Sequence, residues 1–217
     1  MTRRVAIYGK GVTGEATGTV LAEAGCEVGY IDPPRKLAYG GAWPSVVFLC
    51  VPTPAGDDSI VVESALAAVQ SWPDALVVVR STVPPGTMNK IKQYAPDARL
   101  ILMPEFLREA YAIEDARKKD RAIFAALDDE DAAQFKTFLV SAGYTGVRRA
   151  QVAEVELLKI ALNSALAVKV AHANALYDLA KHTKADFNAL VDLMVEDGWV
   201  SRFGLQVPGR HWRGYAG

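Results

Sequence analysis

Cysteine and histidine are scarce in this chain, and neither sign of charge prevails. Only Cys26 and Cys50 occur in 217 residues, each in or beside an apolar run. They read as small core residues rather than a disulfide or metal pair, which suits a reducing cytoplasm. His172 and His182 fit helix-surface or interface roles, and a lone His211 in a Gly/Arg/Trp loop reads as a surface or ligand contact. No metal site is expected. The 24 basic and 25 acidic residues nearly cancel, leaving a formal charge of -1 and no bulk pull toward nucleic acid or an anionic membrane. Met1-Thr2-Arg3-Arg4 leads straight into a strand, with no apolar leader core behind the arginines. The most apolar stretch, Ile160 to Ala180, is interrupted by Asn163, Lys169, His172 and Asn174, which argues against a membrane span. A soluble, cytoplasmic protein is the expectation. With 51% hydrophobic residues the chain can bury one large core or two small ones.

Short aliphatic runs alternate with helical segments from the N-terminus onward. Val5–Tyr8, Val28–Ile31, Val46–Val51, Leu76–Val79 and Leu100–Leu102 are continuous enough to be strands covered on both faces, which means a parallel sheet. Glu15–Ala24, Val61–Ser71 and Thr87–Tyr94 have helical composition between them. Ala122–Ala125 predicts a sixth strand, followed by a helix over Asp129–Ser141 and a short strand over Tyr144–Val147. From Val152 to Lys181 there is no proline or glycine, so one long helix is the simplest reading. It is apolar around most of its circumference and demands cover on nearly all sides, more than one sheet domain offers. A second copy of the chain is the expected cover, giving a homodimer through residues 152–181. Ala185–Val195 predicts a further amphipathic helix, and Asp197–Gly217 a loop. The fold class is α/β: a Rossmann-type, doubly wound, mostly parallel sheet over residues 1–150, then a long central helix and a short helical domain over 151–217.

Five segments carry chemistry. Gly9-Lys10-Gly11-Val12-Thr13-Gly14 follows the first strand and opens the first helix. In that context the first glycine permits a tight turn, the second lets a pyrophosphate approach the backbone, and the third allows close helix–strand packing. The phosphates would sit on the helix N-terminus. Asp32, about 20 residues on at the end of the second strand, can accept both ribose hydroxyls and would repel a 2′-phosphate, which favours NAD over NADP. Arg35 nearby pulls the other way. Turn glycines with a capping aspartate are the plainer alternative.

Val51-Pro52-Thr53-Pro54 and Arg80-Ser81-Thr82-Val83-Pro84-Pro85-Gly86-Thr87 end the third and fourth strands. Both put hydroxyls and rigid prolines at the carboxyl edge of the sheet, although proline and threonine are also ordinary turn residues. Pro104-Glu105-Phe106-Leu107-Arg108-Glu109 ends the fifth strand with two carboxylates at the edge where open α/β sheets bind ligands. In the long helix, Lys159 and Asn163 are four apart and share a face, either as a solvated stripe or as a patch aimed at a site; Glu156 lies one turn earlier.

Taken together, these segments resemble the UDP-glucose/GDP-mannose dehydrogenase family. The resemblance rests on Pro104–Glu109 with Ala112 and Asp115 beyond it, and on Val155–Ala167, which is similar to the family's Ala-Glu-Leu-x-Lys-x-x-x-Asn helix. It extends from Val5 to Gly217 and implies NAD as cofactor, a nucleotide sugar as substrate, and a place in polysaccharide precursor synthesis. It implies catalytic roles for Thr82, Glu105, Lys159 and Asn163. Cofactor contacts are implied at Gly9, Gly11, Val12, Thr13, Gly14, Asp32, Arg35, Val51, Pro52, Thr53, Ser81, Thr82 and Glu109. Substrate contacts are implied at Glu105, Phe106, Leu107, Arg108, Lys159 and Asn163.

Three departures accompany the resemblance. Met103 stands where the family usually has a polar residue, the Asp32–Val46 connection is short, and the chain stops at Gly217, where the family's nucleophilic cysteine would follow. The implied chemistry is oxidation of a sugar C6 alcohol to a carboxylate with two NAD⁺. Lys159 would stabilise a developing oxyanion, Asn163 would position it, Glu105 would act as general base, and Thr82 would order water. Covalent trapping would need the absent cysteine, so an incomplete or truncated form is expected. A β-hydroxyacid dehydrogenase-like enzyme, with lysine and asparagine also four apart, and a non-enzymatic NAD-binding module remain as alternatives.

Overall fold

The computed structural model describes residues 3–54, 57–205 and 207. Seven strands form one sheet in the order β2-β1-β3-β4-β5-β6-β7. They are β1 Arg3–Tyr8, β2 Cys26–Ile31, β3 Val46–Leu49, β4 Leu76–Val79, β5 Arg99–Leu102, β6 Ala122–Ala126 and β7 Val147–Arg149. The first five pair in parallel, β6 pairs antiparallel to β5, and β7 returns parallel to β6. The helices are α1 Val12–Glu23, α2 Ser59–Ser71, α3 Thr87–Tyr94, α4 Ala112–Lys118, α5 Asp129–Ser141, α6 Val152–Thr183 and α7 Phe187–Glu196. This is the doubly wound sheet that the alternating runs predict.

The strands are apolar on consecutive residues because both sheet faces are covered. Val5, Ile7, Phe48, Val78 and Ile101 pack on one face with Leu21, Phe124, Phe135 and Phe138. Ala6, Val47, Leu49, Val77, Val79 and Leu102 pack on the other with Val61, Ala65, Met88 and Ile91. Each large side chain so buried contributes about 1.5–3 kcal/mol. Helix ends follow local chemistry. Asp128 caps α5 by accepting from Glu130 N at 2.8 Å and Asp131 N at 3.0 Å, and Asp186 caps α7 by accepting from Asn188 N at 2.8 Å.

Several boundaries differ from expectation. β3 stops at Leu49 because the backbone beyond it is claimed by the neighbouring loop: Arg80 N and Ser81 N both donate to Leu49 O, and Ser81 Oγ donates to Val51 O at 2.7 Å. The strand expected over Tyr144–Val147 is Val147–Arg149 instead. Gly146 there lies against the Asp120 carbonyl so closely that a Cβ would stand 1.7 Å from it. Helix α4 was not expected from the sequence; it follows a 3₁₀ turn at Glu109–Tyr111.

The chain divides into two compact units, one running to Lys159 and one from Ile160, with the division inside α6. In the second unit Ala173, Val191 and Leu205 form a small cluster with Phe187, Val195 and Val200. Along α6 the apolar residues Leu157, Ile160, Leu162, Val168 and Leu179 are exposed, Val168 by 71%. The tail from Pro208 to Gly217, including His211, lies outside the described residues. Among the described residues, no helix is long and apolar enough to cross a membrane, and no cluster of His, Cys, Asp and Glu could hold a metal.

Candidate active site

The three loop glycines do different work. Gly9 has φ +85, donates to Ile31 O at 2.8 Å, and would place a Cβ 2.3 Å from the Cys50 carbonyl. A Cβ on Gly14 would stand 2.0 Å from Gly9 O. Both positions therefore require glycine for packing. Gly11 differs: nothing lies within 4 Å of where its Cβ would be. It is the N-cap of α1 and offers no side-chain cap, so the helix's first N–H groups are left for a ligand. Val12 is exposed and Thr13 half-buried at that helix end.

Asp32 joins this loop. Its Oδ2 accepts from Lys10 N at 2.8 Å, and Arg35 Nε stands 3.9 Å from the same oxygen. Arg35 also donates to Lys10 O. An open glycine, an uncapped helix end and a carboxylate fixed at the end of β2 fit the phosphates and a ribose of a dinucleotide.

At the next strand ends, Ser81 ties the β4 loop to Val51, and Thr82 and Val51 are half-buried beside it, with Pro52 and Thr53 following. Beyond β5, Glu105 and Lys159 meet. Lys159 Nζ donates to Glu105 Oε1 at 3.1 Å, and Glu105 Oε2 accepts from Leu107 N at 2.6 Å. Their side chains are 8% and 20% exposed, so the pair is sheltered yet reachable from one side. The Phe106 ring lies 5.6 Å from Lys159 Nζ and 4.7 Å from the Arg121 guanidinium, which places a negative aromatic face beside the ammonium. Arg108 turns away to pair with Asp115 at 2.7 Å and to cover the Tyr111 ring. That guanidinium, with Lys118 assisting, holds the Asp115 carboxyl well below the usual carboxylate range. Arg108 is thus engaged in folding the loop. Glu109 lines a cleft of about 250 Å³ with Val12, Glu15 and Tyr111, which brings it next to the start of α1.

Sequence reasoning placed Glu156 on the long helix without a role. The structure gives it one. Its carboxylate is 4% exposed and accepts from Gly86 N at 2.8 Å and Met88 N at 3.1 Å, capping α3 from another helix. The signal was a helix start at Gly86, a residue with no side-chain cap of its own. Asn163 follows Lys159 one turn later on α6, in the second unit, and is half-buried. Burial pushes the Cys50 thiol up to about 11, which keeps it in the thiol form near neutral pH.

An ammonium hydrogen-bonded to a carboxylate at the carboxyl edge can stabilise an oxyanion and move a proton. Comparison with known proteins finds relatives in the family that the sequence resembles. Residues 42–140 match the NAD binding domain of the UDP-glucose/GDP-mannose dehydrogenase family. The UDP-glucose 6-dehydrogenase of Rickettsia typhi is 35% identical over 123 residues, covering 54% of this chain and 28% of that protein. The structure of a UDP-glucose dehydrogenase from the archaeon Pyrobaculum islandicum aligns over 94% of this chain and 59% of that one, with TM-score 0.76 and 24% identity. A 3-hydroxyisobutyrate dehydrogenase of Mycobacterium tuberculosis shares the fold at TM-score 0.70 and 17% identity, covering 96% of this chain and 76% of its own. The chain thus spans between about a quarter and three fifths of the length of the first two.

Proposed function

We infer the function of this chain from its relation to the UDP-glucose/GDP-mannose dehydrogenases, whose matched domain bears out the NAD expectation. From that premise we propose that it binds NAD across the glycine loop and Asp32 and takes part in oxidising the C6 alcohol of a nucleotide sugar. The observation that carries this is the Lys159–Glu105 hydrogen bond at 3.1 Å, at the sheet edge that also bears the glycine loop. Bound NAD would supply the hydride acceptor. The chain's own residues would do the rest. Lys159 donates to the C6 oxygen, which is negative once its proton is lost and before hydride leaves, and again when water adds to the resulting carbonyl, with Asn163 as a second donor. Glu105 takes the proton from an attacking water that Thr82 helps to order. Phe106 and Leu107 flank the sugar, while Arg108 acts indirectly, by holding the loop through Asp115. Gly11, Val12 and Thr13 receive the phosphates, and Glu109 sits at the nicotinamide end of the same cleft.

The exposed apolar residues of α6 support a homodimer through residues 152–181, since a stripe of that kind is uncommon on a monomer. A monomeric mass by light scattering at micromolar concentration contradicts it. We place the protein in the cytoplasm and its product in polysaccharide precursor synthesis. The test of function is NADH formation with UDP-glucose, GDP-mannose and short hydroxy acids. It is run on this chain and on one extended beyond Gly217 by a relative's cysteine-bearing segment. The expected result is NADH from a nucleotide sugar, abolished by Lys159→Ala. NADH from the short hydroxy acids would favour the β-hydroxyacid dehydrogenase reading instead. Tight NAD binding without turnover in either form would favour a binding module.

A further inference from the structure

Among the described residues, Arg80 Nε is the one buried side-chain nitrogen or oxygen without a hydrogen-bond partner. The residue is 7% exposed and stands first after β4, where its N–H donates to Leu49 O at 3.0 Å. Strand alternation places it on the sheet face of Leu76 and Val78, the face that also carries Cys50 after β3 and Met103 after β5. Along the carboxyl edge it therefore falls between two features already described. On one side Cys50 abuts Gly9 of the glycine loop; on the other, Met103 leads to Glu105. With adjacent strands about 4.8 Å apart, β4 is about 10 Å from β1 across the sheet.

Burying Nε without a partner is costly, because that N–H loses its hydration and nothing in the chain replaces it. Elsewhere this fold supplies the missing partner. Arg99 pairs with Asp131 at 2.6 Å, and Arg108 pairs with Asp115 at 2.7 Å. Among the described residues, no such carboxylate serves Arg80. Its charge is nevertheless felt locally. At the Cys50 thiol, burial dominates and raises the pKa, while Arg80 draws it down and Glu105 pushes it up. Arg80 and Glu105 thus act on the same small region.

We propose that Arg80 is an anion subsite at the carboxyl edge between the glycine loop and Glu105, and that its ligand is an oxyanion. The planar fork of a guanidinium suits phosphate and carboxylate oxygens bidentately. Two sources present that chemistry here: the diphosphate of the dinucleotide, and the carboxylate of a sugar acid formed at Lys159 and Glu105. The inference rests on the proposed cofactor and substrate class.

The test is a pair of calorimetric titrations on wild type, Arg80→Met, Arg80→Lys and Asp32→Ala. ADP-ribose presents a diphosphate without a carboxylate, and a free hexuronate presents a carboxylate without phosphate. Arg80→Met replaces an uncompensated charge with an apolar chain of similar length, so its melting temperature should match or exceed that of wild type. Should it instead melt lower, Arg80→Lys carries the comparison, since it keeps the charge and loses the fork. Affinity should fall about tenfold or more for at least one ligand, the scale of losing a charged hydrogen bond. A loss with ADP-ribose alone assigns the diphosphate; a loss with the hexuronate alone assigns the carboxylate. Unchanged affinity for both ligands overturns the proposal, as does wild type that binds neither. Failure of the cofactor reading shows separately, as ADP-ribose binding that Asp32→Ala leaves unchanged.

Discussion

Replacing Glu156 should loosen the site without touching any ligand. Both of its carboxylate oxygens are engaged, one on Gly86 N at 2.8 Å and one on Met88 N at 3.1 Å. Gly86 is the N-cap of α3 and Met88 lies in its first turn, whose positive end the carboxylate also neutralises. A hydrogen bond to a charged group is worth about 1.5–3 kcal/mol, and an abandoned buried N–H costs about 1–3 kcal/mol. The two bonds share one side chain and do not add fully, so Glu156→Ala should cost about 3–4 kcal/mol. For a chain of this size, about 1 kcal/mol moves Tm by about 2–4 °C, so a drop of about 6–16 °C is expected. Glu156→Gln keeps one acceptor but turns an NH2 toward the other N–H, and should fall between wild type and alanine. Urea unfolding with a two-state fit, run beside calorimetric melting, measures both variants. Because Glu156 sits one turn before Lys159, alanine should also weaken whatever Lys159 binds. A Glu156→Ala variant within about 0.5 kcal/mol of wild type would refute the reasoning, since surface substitutions have effects of that size.

The loop glycines separate packing from binding. Gly14→Ala should destabilise the chain by about 2 kcal/mol or more, because its Cβ meets the Gly9 carbonyl at 2.0 Å. Gly11→Ala should leave urea stability within about 1 kcal/mol, as no protein atom lies near its Cβ, yet weaken NAD binding. Equal stability losses in the two would contradict the division of roles. Asp115 titrates below its ordinary value in the folded chain because Arg108 holds it charged. A carboxyl depressed in this way stabilises fully above its unfolded pKa, near 3.8, and loses that contribution as pH falls through the lower folded value. The Tm gap between wild type and Asp115→Asn should therefore be constant above about pH 5 and shrink in acid. A gap that widens on acidification would reverse the assignment.

Much of this fold was legible because its signals are local. Continuous aliphatic runs such as Leu76–Val79 in β4 report burial on both faces, and the glycine loop reports a strand-to-helix turn. Lys159 and Glu105 were legible only through the family's motifs. They are 54 residues apart, and no periodicity relates them. What escaped was tertiary. The role of Glu156 depends on α6 passing the start of α3, and the end of β3 depends on Ser81 claiming the Val51 carbonyl from a loop 30 residues away. Helix α4 escaped for a different reason. Its seven residues are too few to show a period, and it is fastened by the Arg108–Asp115 pair rather than by an apolar face. Arg80 read as turn chemistry because only the folded chain shows that its buried Nε goes unpartnered.

The central claim is that the glycine loop and Asp32 form one NAD site. Calorimetric titration of NAD⁺ and NADP⁺ into wild type and Asp32→Ala tests it most directly. Wild type should bind NAD⁺ more tightly than NADP⁺, and the substitution should weaken NAD⁺ by about 1–3 kcal/mol, the range for losing a charged hydrogen-bond partner. NADP⁺ binding as tightly as NAD⁺, or an Asp32→Ala variant with wild-type affinity, would contradict it.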